Sequence, residues 1–131
     1  TYFVQHVFEL TNLNVGCWHK AWDMVINQHD SLRANFMWEK LTKPLQRIQK
    51  KVELSWIEEN WCKIENCEDE LQVHIKSARK KQFDLTKSPL MRFHLIKIGD
   101  VRYYFIWNIH HLLIDGWSIP IILEDVITAY R

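Results

Sequence analysis

The sequence lacks an excess of charge of either sign. Its 17 basic and 16 acidic residues leave a formal net charge of +1, so neither nucleic acid nor an anionic membrane surface is expected as its main partner. It also has no apolar run near the ~18 residues that cross a bilayer and no charged-then-apolar leader. These absences favour a protein without a membrane partner.

Cysteine is scarce as well. The chain has three cysteines, an odd number: Cys17, Cys62 and Cys67. Their spacing matches neither a disulfide framework nor a zinc site. We therefore expect reduced thiols, a cytoplasmic location, no bound metal and no directly bound cofactor. Five further histidines are scattered along the chain, and the sequence alone assigns them no chemistry: His6, His19, His29, His74 and His94.

What the sequence does contain is enough apolar material for one packed core. Of its 131 residues, 47% are hydrophobic and 13% aromatic, which predicts a single folded domain over residues 1–131. There is no internal repeat, low-complexity segment or linker. The chain begins in a predicted strand without a methionine ahead of it, so we interpret it as a segment of a longer protein.

Hydrophobic periodicity predicts three helices. The first follows Asn14 as its N-cap, and its apolar stripe is Trp18, Ala21, Trp22, Val25, Ile26 and His29. The second covers about Glu68 to Gln82, with acidic residues at its start and basic residues at its end, as the helix dipole favours. The third begins near Ser118, and its predicted buried stripe is Ile119, Ile122, Leu123, Val126, Ile127 and Tyr130.

Strands are predicted between these helices. The stretch "YFVQHVFEL" opens the chain, and "LRANFMWE", "LQRIQ" and "VELSWI" follow the first helix. The last two, "LMRFHLIKI" and "VRYYFIWNIHH", form a hairpin around Gly99-Asp100, where glycine can take a positive φ. The order β-α-β-β-α-β-β-α predicts the α/β class: a two-layer α/β sandwich, in which helices pack on a mixed sheet.

Two histidines end the last of these strands, in "NIHHLLIDG". Side chains alternate between the faces of a strand, so His111 extends the apolar face of Phe105, Trp107 and Ile109, while His110 lies on the mixed face. Burial would keep His111 neutral and able to accept a proton. Adjacent strand residues point apart, which weighs against one metal bound by both. Asp115, just beyond, is expected to fix the loop.

At this point the sequence resembles a known family. "HHLLIDG" is similar to the HHxxxDG signature of the condensation domains of nonribosomal peptide synthetases, relatives of chloramphenicol acetyltransferase. "QHDSLRANF" is similar to the family's R-H-E-x-L-R-x-x-F segment, with Gln28 where arginine is common. "FDLTKSPLMR" is similar to its F-D-L-x-x-x-P-L-x-R segment, and "DGWS" continues the signature. The stretches occur in the family's order and span essentially the whole chain.

The resemblance implies one lobe of the chloramphenicol acetyltransferase-like fold. Such domains have two lobes with the active site in a tunnel between them, and this chain matches the N-terminal lobe without its first motif. The C-terminal lobe is then a partner. The implied reaction is peptide-bond formation between substrates held on the phosphopantetheine arms of donor and acceptor carrier proteins.

The resemblance also implies roles for individual residues. His111 matches the residue that carries activity, either as a base or by orienting the amine, and His110 is structural. The backbone N–H of Gly116 would lie near the oxyanion. Asp115 matches a structural aspartate that is usually paired with an arginine. Arg33 is one candidate for that arginine, and the absent part of the domain is the other possible source. The alternative for Arg33 is a solvated surface position.

Less specific interpretations stand beside these. His111 alone is also compatible with a core histidine, and the whole chain with a noncatalytic docking module that keeps the lobe fold. For the isolated lobe we expect exposed apolar surface around Trp107, Ile109 and Trp117. That surface predicts a homodimer of the fragment, which would be catalytically silent.

Overall fold

The computed structural model describes residues 3–37, 45–114 and 118–131. These residues form strands, α-helices and a short 3₁₀ helix. In order they are β1 (Phe3–Thr11), α1 (Val15–Gln28), a 3₁₀ helix (Asp30–Arg33), β2 (Ala34–Met37), β3 (Leu45–Ile48), β4 (Trp56–Asn60), α2 (Cys67–Arg79), β5 (Met91–Lys97), β6 (Arg102–His110), α3 (His111–Ile114) and α4 (Ile119–Tyr130).

The principal sheet has four strands in the order β1-β6-β5-β4. Strand β6 pairs antiparallel with β1 and β5, whereas β4 pairs parallel with β5, so the sheet is mixed as predicted. The β5–β6 hairpin is confirmed, but Gly99 does not have a positive φ, so the conformation expected at this turn was wrong. Strands β2 and β3 form a separate antiparallel pair.

Side-chain caps fix where the helices begin. Asn14 accepts a hydrogen bond from the Cys17 N–H at 3.0 Å and Ser118 accepts one from the Ile121 N–H at 3.3 Å, which confirms both predicted starts. Helix α2 has the expected acidic first turn and basic last turn, and it ends at Arg79, three residues earlier than predicted. No helix of the described residues is long and apolar enough to cross a bilayer.

The main core lies between one face of the sheet and helices α1 and α4. Its largest fully buried side chains include Trp22, Phe93, Phe105 and Trp107. The predicted α1 stripe is buried from Trp18 to Ile26, since its spacing matches the helical period. In α4 the stripe is narrower than predicted, because Ile127 is 44% exposed.

A second, smaller core covers the opposite face of the sheet. There α2 packs Leu71 and Ile75 against Ile96, Tyr104 and Ile106. The α/β class and the helices on a mixed sheet are confirmed. The expected sandwich had one sheet layer and one helix layer, and α2 adds a second helix layer on the other face of the sheet. Because these two cores cover both faces of β6, this strand is buried from residue 104 to its end.

Two local predictions differ from the structure. The strand predicted from Leu32 begins at Ala34, because a 3₁₀ helix precedes it, and the strand predicted over "VELSWI" begins at Trp56. In addition, Trp107 and Ile109 are fully buried within this chain, while Trp117 lies outside the described residues. Trp107 and Ile109 therefore do not contribute to the predicted apolar patch, and the homodimer of the fragment stays a prediction that these two residues do not support.

Candidate active site

His110 is the last residue of β6, and both its backbone and its side chain are hydrogen-bonded. It is 7% exposed, and its backbone N–H donates to the Leu90 carbonyl at 3.0 Å. Its Nδ1 accepts the Leu112 N–H at 3.1 Å, so the neutral ring carries its proton on Nε2. Burial, and secondarily the charge of His111, lower the pKa of His110. The structural role predicted for His110 fits this setting.

His111 begins helix α3 and is exposed. The predicted position on the dry face of β6 is wrong, because strand pairing stops at His110 and the backbone turns into a helix. The two-residue alternation ends there, so the next buried side chain is Leu113. The interpretation of His111 as a core histidine is contradicted for the same reason. An exposed imidazole directly after a core strand is accessible to a substrate.

Arg33 is 5% exposed, so a solvated surface position is excluded. Its guanidinium donates to the carbonyls of Ile26, Asn27 and Gln49 at 2.7 to 3.2 Å and to Asp30 at 2.6 Å. These bonds tie the end of α1 to the residue that follows β3. Asp115 and Gly116 lie outside the described residues, so the Arg33–Asp115 pair and the oxyanion contact stay predictions.

The stretches that carried the resemblance meet beside His110. The Asn35 side chain donates to the Thr86 carbonyl at 2.5 Å, and the Ser88 hydroxyl donates to the Arg33 carbonyl at 2.8 Å. These bonds join "SLRANF" to "FDLTKSP". Leu90, two residues after Ser88, accepts the His110 N–H through its carbonyl, so two stretches that are distant in sequence support one strand end.

An aromatic and cationic cluster completes this support. The Phe83 ring meets His110 edge-on at 6.0 Å and Phe3 at 5.3 Å. The Arg92 guanidinium lies 3.9 Å from the centre of the Phe83 ring, within cation–π range, and donates to the Lys81 carbonyl at 2.5 Å. Burial lowers the pKa of Arg92. The cluster holds the His110 ring in place.

A pocket of about 180 Å³ lies on the same face of the sheet as Arg92 and Asn108. His74 and His94 line it, although no local sequence pattern connects them. Together with Glu59 they place three potential metal-ligand atoms within 4.8 Å of one another. This cluster could not be predicted from the sequence, because it depends on the parallel pairing of β4 with β5 and on the position at which α2 packs.

Comparison with known proteins identifies the family. The "Condensation domain" profile matches residues 1–131, and the chain therefore belongs to the condensation-domain family, whose enzymes are of the acyltransferase type. It is 36% identical over 131 residues to a linear gramicidin synthase of Brevibacillus parabrevis, covering 98% of this chain and 3% of that protein. It is 34% identical over 134 residues to Bacitracin synthase 3 of Bacillus licheniformis, and the match covers 99% of this chain and 2% of that protein.

Solved structures agree on the fold. The starter condensation domain of rhizomide synthetase RzmA superposes with a TM-score of 0.84 at 20% identity, covering 98% of this chain and 32% of that one. AB3403, a four-domain nonribosomal peptide synthetase, superposes with a TM-score of 0.80 at 27% identity. The match covers 98% of this chain and 10% of that one. The chain thus spans only a small part of the curated relatives that it matches.

Proposed function

We propose that this chain supplies the catalytic histidine for peptide-bond formation in nonribosomal peptide synthesis. The observation that carries the proposal is the exposed imidazole of His111, placed directly after the most deeply buried strand of the sheet. The neighbouring histidine is buried and bonded to the backbone of the same turn. One histidine is thereby available for chemistry, and the other fixes the turn that presents it.

In the proposed reaction, the amine of an acceptor substrate attacks the carbonyl carbon of a donor thioester. The C–N bond forms, the C–S bond breaks, and the proton released from nitrogen ends on the thiol sulfur. His111 accepts that proton or orients the amine for attack. The products are an amide and a free thiol.

The proposed partners follow from the same reaction. Donor and acceptor substrates arrive on phosphopantetheine arms of carrier proteins, and a C-terminal lobe closes the tunnel that excludes water. Arg33 and His110 are structural supports in this scheme. For Asp115 and Gly116 the proposal keeps the roles that the resemblance implies, a loop-fixing carboxylate and a backbone donor to the oxyanion.

The test separates catalysis from docking. In a full synthetase containing this chain, His111→Ala should lower single-turnover product formation by ~10²–10⁴-fold, while the affinity for loaded carrier proteins stays within about twofold. His19→Ala is the control, because His19 stacks on Trp56 at 4.3 Å, away from the proposed site. An unchanged rate would contradict the proposal, and loss of carrier affinity at an unchanged rate would favour the docking module.

A further inference from the structure

We propose that Glu59, His74 and His94 form a binding site for a transition-metal ion, best suited to Zn²⁺, which clips helix α2 to the outer face of the sheet. The three side chains come from β4, α2 and β5. Their ligand atoms all lie within 4.8 Å of one another. The inference is independent of the proposed condensation activity.

The fold brings these residues together in two steps. Strand β4 runs parallel to β5, with Ile57 opposite His94 and Glu59 opposite Ile96. Since alternate residues share a face, Glu59 and His94 lie side by side, and their Oε2 and Nε2 atoms are 3.1 Å apart. Helix α2 then lays His74 over them, with its ring centre 4.3 Å from that of His94 and the planes at 86°.

The donor set is one that zinc prefers. Zn²⁺ binds imidazole nitrogen and carboxylate oxygen at about 2.0–2.2 Å, so tetrahedral ligand atoms lie roughly 3.3 Å apart. Glu59 and His94 already have this spacing. The widest of the three separations, within 4.8 Å, would have to shorten by about 1.5 Å when the metal binds. Two imidazoles disfavour Mg²⁺ and Ca²⁺, which select oxygen ligands.

The burial of His94 supports the site. Its side chain is 16% exposed, and its Nε2 is buried without a well-directed hydrogen bond among the described residues, although Glu59 is close. Metal binding at this Nε2 requires its lone pair, so the proton of the neutral ring would lie on Nδ1. Burial, and secondarily repulsion by His74, lower the pKa of His94, and the neighbouring carboxylate of Glu59 partly opposes this shift.

The surroundings supply orientation and room. The Trp61 indole N–H donates to Glu59 Oε2 at 3.2 Å, the kind of outer contact that orients a ligating carboxylate. A pocket of about 180 Å³ adjoins the two imidazoles, since His74 and His94 both line it. Leu71 is the only buried residue of α2, so the apolar contact between this helix and the sheet is small. A metal bound by His74 would attach the helix to the sheet more firmly.

The test uses the 131-residue chain with its three cysteines changed to serine, because free thiols also bind zinc. ZnCl₂ titration by calorimetry at pH 7.5 should give one ion per chain, and Co²⁺ should give the visible absorption of a tetrahedral site. His74→Gln, His94→Gln and Glu59→Gln should each weaken binding at least about tenfold. His19→Gln, on the core side of the sheet beside Trp56, should leave binding unchanged.

Thermal melting provides the second readout. Zn²⁺ should raise the melting temperature of the parent and of His19→Gln in a concentration-dependent way, with no rise in His74→Gln. His74 is only half-buried on the helix, so this variant tests the site even where His94→Gln fails to fold. No stoichiometric binding at 100 µM Zn²⁺, or binding that survives in His74→Gln, would overturn the proposal.

Discussion

Replacing His110 tests whether it is the structural support of the turn at His111. In His110→Ala the Leu112 N–H, now bonded to Nδ1 at 3.1 Å, loses its partner, which costs ~1–3 kcal/mol. The edge-on contact with Phe83 is lost as well, at ~0.5–1.5 kcal/mol. Together these predict a loss of ~1.5–4.5 kcal/mol, or a fall of ~5–20 °C in melting temperature for a chain of this size.

A matched variant separates the hydrogen bond from ring packing. The carbonyl oxygen of His110→Asn can replace Nδ1 as acceptor, so this variant should keep more than half of the stability that His110→Ala loses. Urea or thermal denaturation at pH 7.5 measures both. An alanine variant that melts within about 1 °C of wild type, or an asparagine variant as unstable as alanine, would refute the assigned role of Nδ1.

Further predictions concern stability and pH. Arg33→Lys should destabilise by ~3 kcal/mol or more in urea unfolding, because Arg33 donates from separate nitrogens, Nε and Nη1, and the single nitrogen of lysine cannot lie at both positions. The Asp30 bond adds little, since Asp30 is 80% exposed. The lowered pKa of His94 confers stability that is complete above its usual value of 6.5 and is lost as pH falls through the folded-state value. Melting scans from pH 8 to 5 should thus show a steeper decline for wild type than for His94→Gln. Asp115→Asn should lower melting temperature at least as clearly as rate, and a stable variant without activity would contradict a loop-fixing role.

Local patterns predicted those parts of the fold that depend on near neighbours. The buried stripe of α1 and the cap at Asn14 follow from helical spacing and a short polar side chain. The β5–β6 hairpin follows from two apolar runs separated by a short turn. Such features are fixed within about 20 residues of sequence, and composition and period are sufficient to find them.

The prediction for His111 failed because alternation was extended one residue too far. The pattern of β6 holds from Phe105 to Ile109, but the strand ends where β1 and the Leu90 carbonyl stop pairing with it, at His110. That end is set by residues far away in sequence. The cluster of Glu59, His74 and His94 was missed for the same physical reason, since it depends on long-range pairing and not on any local spacing.

The separate roles of the adjacent histidines are the central claim, and one comparison tests them most directly. Single-turnover amide formation from two loaded carrier proteins should be measured for His111→Ala and His110→Asn in the same full synthetase. We expect a ~10²–10⁴-fold loss for His111→Ala and a loss below about tenfold for His110→Asn at a temperature where it is folded. A full loss in His110→Asn with near-normal rates in His111→Ala would contradict the claim.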